Sequence, residues 1–363
     1  MRRSFRIGAR GSASASRGSD GTAYDPPMRV LVTGGAGFIG SHFARRLAAR
    51  GDQVVVLDKL TYCGNRRNLD GVPHQFVQGD ILDVSTVARA GEGCDAVVNF
   101  AAETHVDRSI IAAGDFVKTD VLGTHVLLEW ARSAGARFVQ VSTDEVYGDI
   151  PNGAAREDDR LCPSSPYAAS KAGADLQVLA HVRTYGIDAR ITRGANTYGP
   201  NQYPEKLIPL FVTNALDGKS LPVYGDGLQR RQWLHVEDHC AAIDLALCEG
   251  ETGAVYNIAG EERENLDVAR AILRLLDLGD ERLQHVEDRP GHDRRYAVDS
   301  GRIAGLGWQS EHDFERGLAE TVAWYRDNRS WWEPLKSADY DRYYERQYGA
   351  RLDEDQAQPV AAD

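Results

Sequence analysis

One stretch near the start restricts the fold of this chain more than any other. Met28-Arg29-Val30-Leu31-Val32-Thr33 is short, apolar and rich in β-branched residues, as expected of a buried parallel strand. It runs directly into Gly34-Gly35-Ala36-Gly37-Phe38-Ile39-Gly40. A helical pattern follows, with Phe43, Leu47 and Ala48 apolar against Arg45, Arg46 and Arg50, and Gly51 is a suitable stop. Glycines at 34, 37 and 40 allow a tight turn and close backbone approach, and a pyrophosphate fits at the start of the helix. A second strand over residues 53–57 ends at Asp58, 24 residues after Gly34. A carboxylate there is placed for adenosine ribose hydroxyls and repels a 2′-phosphate, so NAD is favoured over NADP. Lys59 next to it weakens that preference slightly.

The alternation continues. Residues 75–81 read as a strand with a polar end, where Asp80 is placed for an adenine amine. Residues 95–102 read as the next strand, and the small residues at its end let a cofactor lie against the backbone. Residues 120–134 read as a helix with Val121, Leu122, Leu127, Leu128 and Trp130 apolar, and a strand over 137–141 follows. Strands alternating with helices imply a Rossmann-like, doubly wound parallel sheet (class α/β), with ligands at the carboxyl ends of the strands.

At one such end stands Ser142-Thr143-Asp144-Glu145-Val146-Tyr147-Gly148. It is followed by Tyr167-Ala168-Ala169-Ser170-Lys171, which opens a long helix over 167–185. Tyr167 and Lys171 are four apart and share a helix face. A tyrosine with an ordinary pKa of ~10 is a poor base, but a lysine one turn away and a cationic nicotinamide favour its phenolate. Such a phenolate can take the proton of a carbinol as hydride leaves the carbon. Oxidation alone needs no carboxylates. If it makes a ketone, however, the neighbouring C–H becomes acidic. Asp144 and Glu145 can then divide the work, one removing that proton and the other protonating a β-hydroxyl that leaves as water.

After about residue 200 the alternation weakens. Residues 194–204 are punctuated by glycine and proline and read as loop. Helices are expected over 206–216, 237–247, 265–276 (with Asn265 placed to cap it) and 314–326, and short strands over 221–224, 230–236 and 255–258. These assignments divide the chain into a disordered extension over 1–27, a cofactor-binding domain over 28–200 with segments returning near 230–260, a smaller mixed α/β substrate lobe over 201–335, and a C-terminal tail over 336–363. The extension is Arg-, Ser- and Gly-rich and lacks the apolar region of a secretory signal.

Length and charge exclude several roles. A chain of 363 residues with 42% apolar content has material for one large domain or two fused lobes. A net charge of −12 argues against nucleic acid, which needs a basic face. No apolar run approaches the ~18 residues of a membrane span. Five scattered cysteines, none in Cys-x-x-Cys spacing, suit a reduced cytoplasmic compartment. No metal-binding pattern is present.

The chain resembles the extended short-chain dehydrogenase/reductase family, and within it the dTDP-glucose 4,6-dehydratases, over about residues 28–335. Besides the glycine turn and Tyr167-x-x-x-Lys171, the resemblance rests on Asp58-Lys59-Leu60-Thr61-Tyr62, on Ala101-Ala102-Glu103-Thr104-His105-Val106-Asp107-Arg108-Ser109-Ile110 and on the Ser142 motif. It rests also on Tyr203-Pro204-Glu205-Lys206-Leu207-Ile208-Pro209 and on Asp288-Arg289-Pro290-Gly291-His292-Asp293-Arg294-Arg295-Tyr296.

It implies an NAD-dependent hydro-lyase whose tightly held NAD is recycled in each turnover. Tyr167 is implied to take the C4 hydroxyl proton as C4 is oxidised. Glu145 is implied to take the C5 proton and Asp144 to protonate the C6 hydroxyl, before hydride returns to C6. Thr143 is implied to bond the C4 oxygen, and Lys171 to hold the nicotinamide ribose and lower the pKa of Tyr167. The implied cofactor positions are Gly34, Gly37, Phe38, Ile39, Gly40, Asp58, Lys59, Leu60, Thr61, Asp80, Ile81, Ala101, Ala102, Thr119 and Thr197. At Thr197 the family commonly has asparagine. The implied positions for dTDP-glucose are Thr104, Thr143, Asn196, Lys206, Leu207, Pro222, Tyr224, Arg231, Asn265, Arg289 and His292. Arg231 and Arg289 suit a diphosphate, which a planar guanidinium grips through two oxygens. A homodimer through residues 110–134 and 170–185 is also implied. A 4-epimerase or uronate decarboxylase on the same scaffold is the alternative enzyme, and neither needs Asp144 and Glu145 as an elimination pair. A non-catalytic cofactor-binding regulator is disfavoured because every catalytic position is filled.

Overall fold

The structure, a computed structural model, describes residues 27–349. The expected N-terminal extension therefore lies, apart from Pro27, outside the described residues, as does the end of the expected C-terminal tail.

Twelve strands form: β1 (Arg29–Thr33), β2 (Gln53–Asp58), β3 (Gln75–Gln78), β4 (Ala96–Asn99), β5 (Arg137–Thr143), β6 (Ala189–Gly194), β7 (Asn196–Tyr198), β8 (Leu221–Tyr224), β9 (Arg230–His235), β10 (Val255–Ile258), β11 (Glu261–Glu264) and β12 (Leu283–Val286). Seven make one parallel sheet in the order β10-β6-β5-β4-β1-β2-β3. Successive residues of β1 serve opposite faces, and both faces are covered. Val30 and Val32 pack with Phe43 and Leu47 of the helix Phe38–Arg50 and with Ile243 and Leu247 of the helix Val236–Glu249. Leu31 packs on the other side with Leu127, Leu128 and Val178. This double burial explains the unbroken apolar runs of the sequence.

Strand order reverses between β1 and β4, and this switch point opens the cleft described below. A buried polar ladder ties the central strands near their carboxyl ends. The Thr33 hydroxyl donates to Asn99 Oδ1 at 2.6 Å, and Asn99 Nδ2 donates to Gln140 Oε1 at 2.9 Å.

The second lobe holds the sheet β11-β9-β7 and the pair β12-β8. The helices Leu207–Leu216, Asn265–Leu275 and Phe314–Asp327 enclose a core around Trp233, Tyr325 and Trp332. Four features differ from the sequence reading. β7 lies in the segment read as loop; it is three residues long and exists through its parallel pairing with β9. β11 is wholly polar, Glu261-Glu262-Arg263-Glu264, and pairs antiparallel with β9. Asn265 does not cap its helix: the capping position is Glu264, and Asn265 is the first helical residue. Within the segment assigned to the C-terminal tail, residues 338–349 form the helix Ala338–Tyr344 and a π-helical turn, Glu345–Gly349, which the sequence reading did not identify. There Tyr340 Oη donates to the Pro204 carbonyl at 2.9 Å.

The long helix Pro166–Tyr185 has Ser165 as its cap, accepting from Ala168 N, and ends at Gly186 in the left-handed region. It is bound to the sheet through buried charge. Arg193 of β6 donates from Nε to Asp175 at 2.8 Å and from Nη1 to Tyr147 Oη at 2.6 Å, and Tyr147 Oη donates to Asn257 Oδ1 at 2.8 Å. Asp175→Ala would leave a buried guanidinium uncompensated, so a loss of about 3–5 kcal/mol is expected in urea unfolding. A loss within experimental error would show that the pair does not hold the helix.

Candidate active site

The cleft at the switch point has a volume of about 310 Å³ and runs from the glycine turn to the second lobe. At its floor Gly34 has φ +66°, and a Cβ there would stand 2.7 Å from Ala101 N. A Cβ on Gly40 would meet the Gly34 carbonyl at 2.4 Å. Gly34 is thus needed for the close pass by the end of β4, and Gly40 for the close packing of the turn on the start of its helix. Asp58 closes this end. Its carboxylate accepts from Ala36 N at 2.9 Å and Leu60 N at 2.7 Å, and burial pushes its pKa up. Lys59 pairs with Asp80 at 2.6 Å across the same pocket.

At the middle of the cleft stand the residues that follow β5. Thr143 caps a short 3₁₀ turn, Asp144–Tyr147, accepting from Glu145 N at 3.3 Å and donating to Asp144 Oδ1 at 3.2 Å. Asp144 is 2% exposed. Burial, and then the Glu145 charge, push its pKa up to about 7. Burial also raises Glu145, opposed by the cationic Arg289, Lys206 and Arg231. The two adjacent carboxylates thus differ in environment.

Tyr167 is buried, and its phenol is held well above its ordinary value by desolvation and by the charges of Glu145 and Asp120; a hydrogen bond with Thr143 works the other way. Lys171, also buried, donates from Nζ to the Val141 carbonyl at 2.7 Å, and burial lowers its pKa. Burial and the acidic neighbours thus favour the protonated phenol, opposite to the effect expected of Lys171.

Asp120 is a participant that the sequence reading missed. Its helix, expected from residue 120, begins earlier and carries a π-helical turn, Val117–Gly123, of the kind that often marks functional sites. That turn brings Asp120 inward, where it accepts from Ser170 Oγ at 2.5 Å and Glu103 N at 3.1 Å, with its pKa pushed by burial up to about 6. Its only signal in the sequence is a carboxylate beside the apolar residues Val121 and Leu122. Glu205, Trp233 and His239 also line the cleft unforeseen. Glu205 accepts from Tyr62 Oη at 2.7 Å and Arg108 Nε at 3.0 Å, joining the two lobes beneath Lys206. His239 Nδ1 lies 2.8 Å from Thr197 Oγ1, so the hydroxyl that replaces the family's amide is engaged within the protein.

The cleft gathers nearly all the positions expected for the cofactor, together with Thr104, Asn196, Lys206 and Leu207. Leu60 does not line it and acts through its amide on Asp58. The remaining substrate positions form a separate group in the second lobe. Pro222 and Tyr224 lie on β8, and Arg231 on β9 stacks over Tyr296 at 4.0 Å and donates to the Asp293 carbonyl at 2.8 Å. His292 lies 2.6 Å from Asp288 through Nδ1 and packs edge-on to Tyr224. Among the described residues, Asp144 Oδ2, Glu145 Oε2, Asn196 Oδ1, Asn265 Oδ1 and Arg289 Nη1 are buried without a hydrogen-bond partner. Buried polar atoms are nearly always paired, so this set fits a polar ligand with both donors and acceptors. The glycine cradle and Asp58 likewise fit a dinucleotide. No group of three metal-ligating side chains occurs among the described residues.

Comparison with known proteins agrees. The sequence model of the GDP-mannose 4,6 dehydratase family matches residues 31–321. The chain belongs to that family. Among its relatives, the dTDP-glucose 4,6-dehydratase of Streptomyces niveus is 55% identical over 325 residues, covering 86% of this chain and 97% of the relative. The crystal structure of a dTDP-glucose 4,6-dehydratase from Streptomyces venezuelae, solved with NAD bound, superposes with a TM-score of 0.84 at 54% identity, covering 85% of this chain and all of that one. A UDP-glucose 4-epimerase from Thermus thermophilus, also with NAD, has a TM-score of 0.78 at 34% identity, covering 83% of this chain and all of that one. The GDP-mannose 4,6 dehydratase scaffold is thus shared with epimerases, and the residues beyond it must separate the two activities.

Proposed function

We propose that this chain converts dTDP-glucose into dTDP-4-keto-6-deoxyglucose and water, with bound NAD. The observation that carries this reading is the pair Asp144 and Glu145 beside Tyr167, with Asp144 buried and its pKa pushed up to about 7, and Glu145 half-buried. A 4-epimerase needs the tyrosine and lysine but no such pair.

The chemistry supplied by bound NAD is a hydride sink at C4 and a hydride source at C6. Tyr167 Oη, as the phenolate that a cationic nicotinamide alongside would favour, accepts the C4 hydroxyl proton, and Thr143 Oγ1 holds the C4 oxygen. Glu145 removes the C5 proton and, once water has left, gives a proton back to C5 as C6 takes the hydride. Asp144 delivers its own proton to the C6 hydroxyl, which leaves as water. Lys171, tied to Val141, holds the ribose at the nicotinamide end. Residues 28–200, with segments near 230–260, serve the cofactor, and residues 201–335 bind the nucleotide sugar through Arg231, Arg289, Asn265 and Tyr224.

Purified protein given dTDP-glucose is expected to yield a product lighter by one water in mass spectrometry, with no net NADH; an isobaric product would point to epimerisation instead. Glu145→Gln is expected to form NADH on substrate addition and then stall, so undiminished water loss in that variant would remove Glu145 from the mechanism. The pH dependence follows from the acid. Asp144 must carry its proton to release water, and the protonated fraction falls as pH rises through about 7. The water-loss rate in single turnovers should therefore drop about tenfold per pH unit well above that value. A flat profile between neutral and alkaline pH would argue against Asp144 as the acid.

We also propose a homodimer. Val117, Leu122, Leu176 and Tyr185 are exposed apolar residues within the two expected helical segments. Leu176→Asp should shift the sedimentation coefficient to that of a monomer; an unchanged value would exclude this face. A reduced cytoplasmic setting is supported by the lack of disulfides among the described cysteines, and no described helix is long and apolar enough to cross a membrane. Cell fractionation checks the compartment.

A further inference from the structure

Asp107 lies outside the cleft, yet it touches three parts of the second lobe. It stands in the first turn of the helix Val106–Ile111, which belongs to the cofactor side of the molecule. Its Oδ2 accepts from Tyr224 Oη at 3.2 Å and from Gln347 Nε2 at 3.1 Å. Its Oδ1 is 3.6 Å from Arg289 Nε, with the two side chains only 7% and 11% exposed. Gln347 in turn donates to Tyr224 Oη at 2.6 Å. One carboxylate therefore joins β8, the Arg289 segment and the C-terminal helical segment to the cofactor lobe.

The charges nearby give this contact a purpose. Arg231, Arg289 and Lys206 all act electrostatically on Glu145, and Arg289 disfavours the charged form of Arg231. Asp107 favours the charged form of Lys206. It thus offsets part of the mutual repulsion within the cluster. Asp107 stands at ion-pair distance from Arg289 Nε, and Arg289 Nη1 is left without a hydrogen-bond partner among the described residues. The rigid fork is then set for phosphate oxygens rather than searching for them.

We infer that Asp107 is a positioning residue for the nucleoside diphosphate end of the substrate, aligning Arg289 and Tyr224 and docking the C-terminal segment through Gln347. The inference rests on the nucleotide-sugar reading above. The test compares wild type and Asp107→Asn, both as holoenzyme, in steady-state turnover of dTDP-glucose and in calorimetric binding of dTDP. Because dTDP lacks the sugar, it reads the nucleotide end alone. Loss of a charge-assisted contact is expected to weaken dTDP about tenfold and to raise KM by a similar factor, with kcat within about twofold of wild type. Unchanged dTDP affinity, or a fall in kcat at constant KM, would overturn the inference. Should Asp107→Asn not fold, Tyr224→Phe removes only the hydroxyl that Asp107 accepts, and is expected to weaken dTDP about threefold; no change there would overturn it equally. A wild type that binds dTDP but does not dehydrate dTDP-glucose would refute the activity and leave the effect of Asp107 on binding still measurable.

Discussion

Exclusion of water from the carboxyl ends of the central strands is the condition on which the site depends. Asp144, Tyr167 and Lys171 are all largely buried at the wall of the cleft. Desolvation is the largest influence on each, lifting the carboxyl and the phenol and lowering the ammonium. It turns a carboxylic acid that would be fully ionised in water into one that can hold a proton near pH 7. It also keeps the phenol neutral until a cation is close. The same residues on an open surface would have ordinary pKa values and little reason to divide acid and base roles.

Such a dry site needs walls, and the walls come from two lobes that must stay in register. The parallel sheet supplies one through the ladder Thr33–Asn99–Gln140, which aligns the strand ends. The other is held by polar hubs that reach across: Glu205 with Tyr62 and Arg108, and Asp107 with Tyr224 and Arg289. A buried carboxylate is costly by itself, and each of these is kept ionic or hydrogen-bonded by its partners. The hubs therefore specify one relative placement of the lobes, since any slippage would strand a buried charge.

Much of this was legible in the sequence because it is local. The strand Arg29–Thr33, the glycine turn and the helix ending at Gly51 follow from patterns of a few residues, and so does the pairing of Tyr167 with Lys171. The features that escaped are those created by partners distant in the chain. β11 has no apolar residue, and its strand state comes from pairing with β9. Asn265 looks like a cap by residue type, but Glu264 takes that position and the Asn265 side chain is left facing other duties. Asp120 gains its place through a π-helical turn that helix periodicity does not foresee. The segment 338–349 looked like a tail because its contacts, such as Tyr340 with Pro204, span most of the second lobe.

By itself the sequence determined the cofactor turn, the alternation of parallel strands with helices and the candidate reacting groups, since chirality, glycine freedom and short-range spacing decide these. Tertiary structure alone decided how those groups ionise and who holds them. Desolvation depends on what covers a residue, and the covering atoms come from both lobes. The arginines, the second-lobe strands and the C-terminal helix meet the cofactor side only after folding, so a carboxylate such as Asp107 acquires its work there.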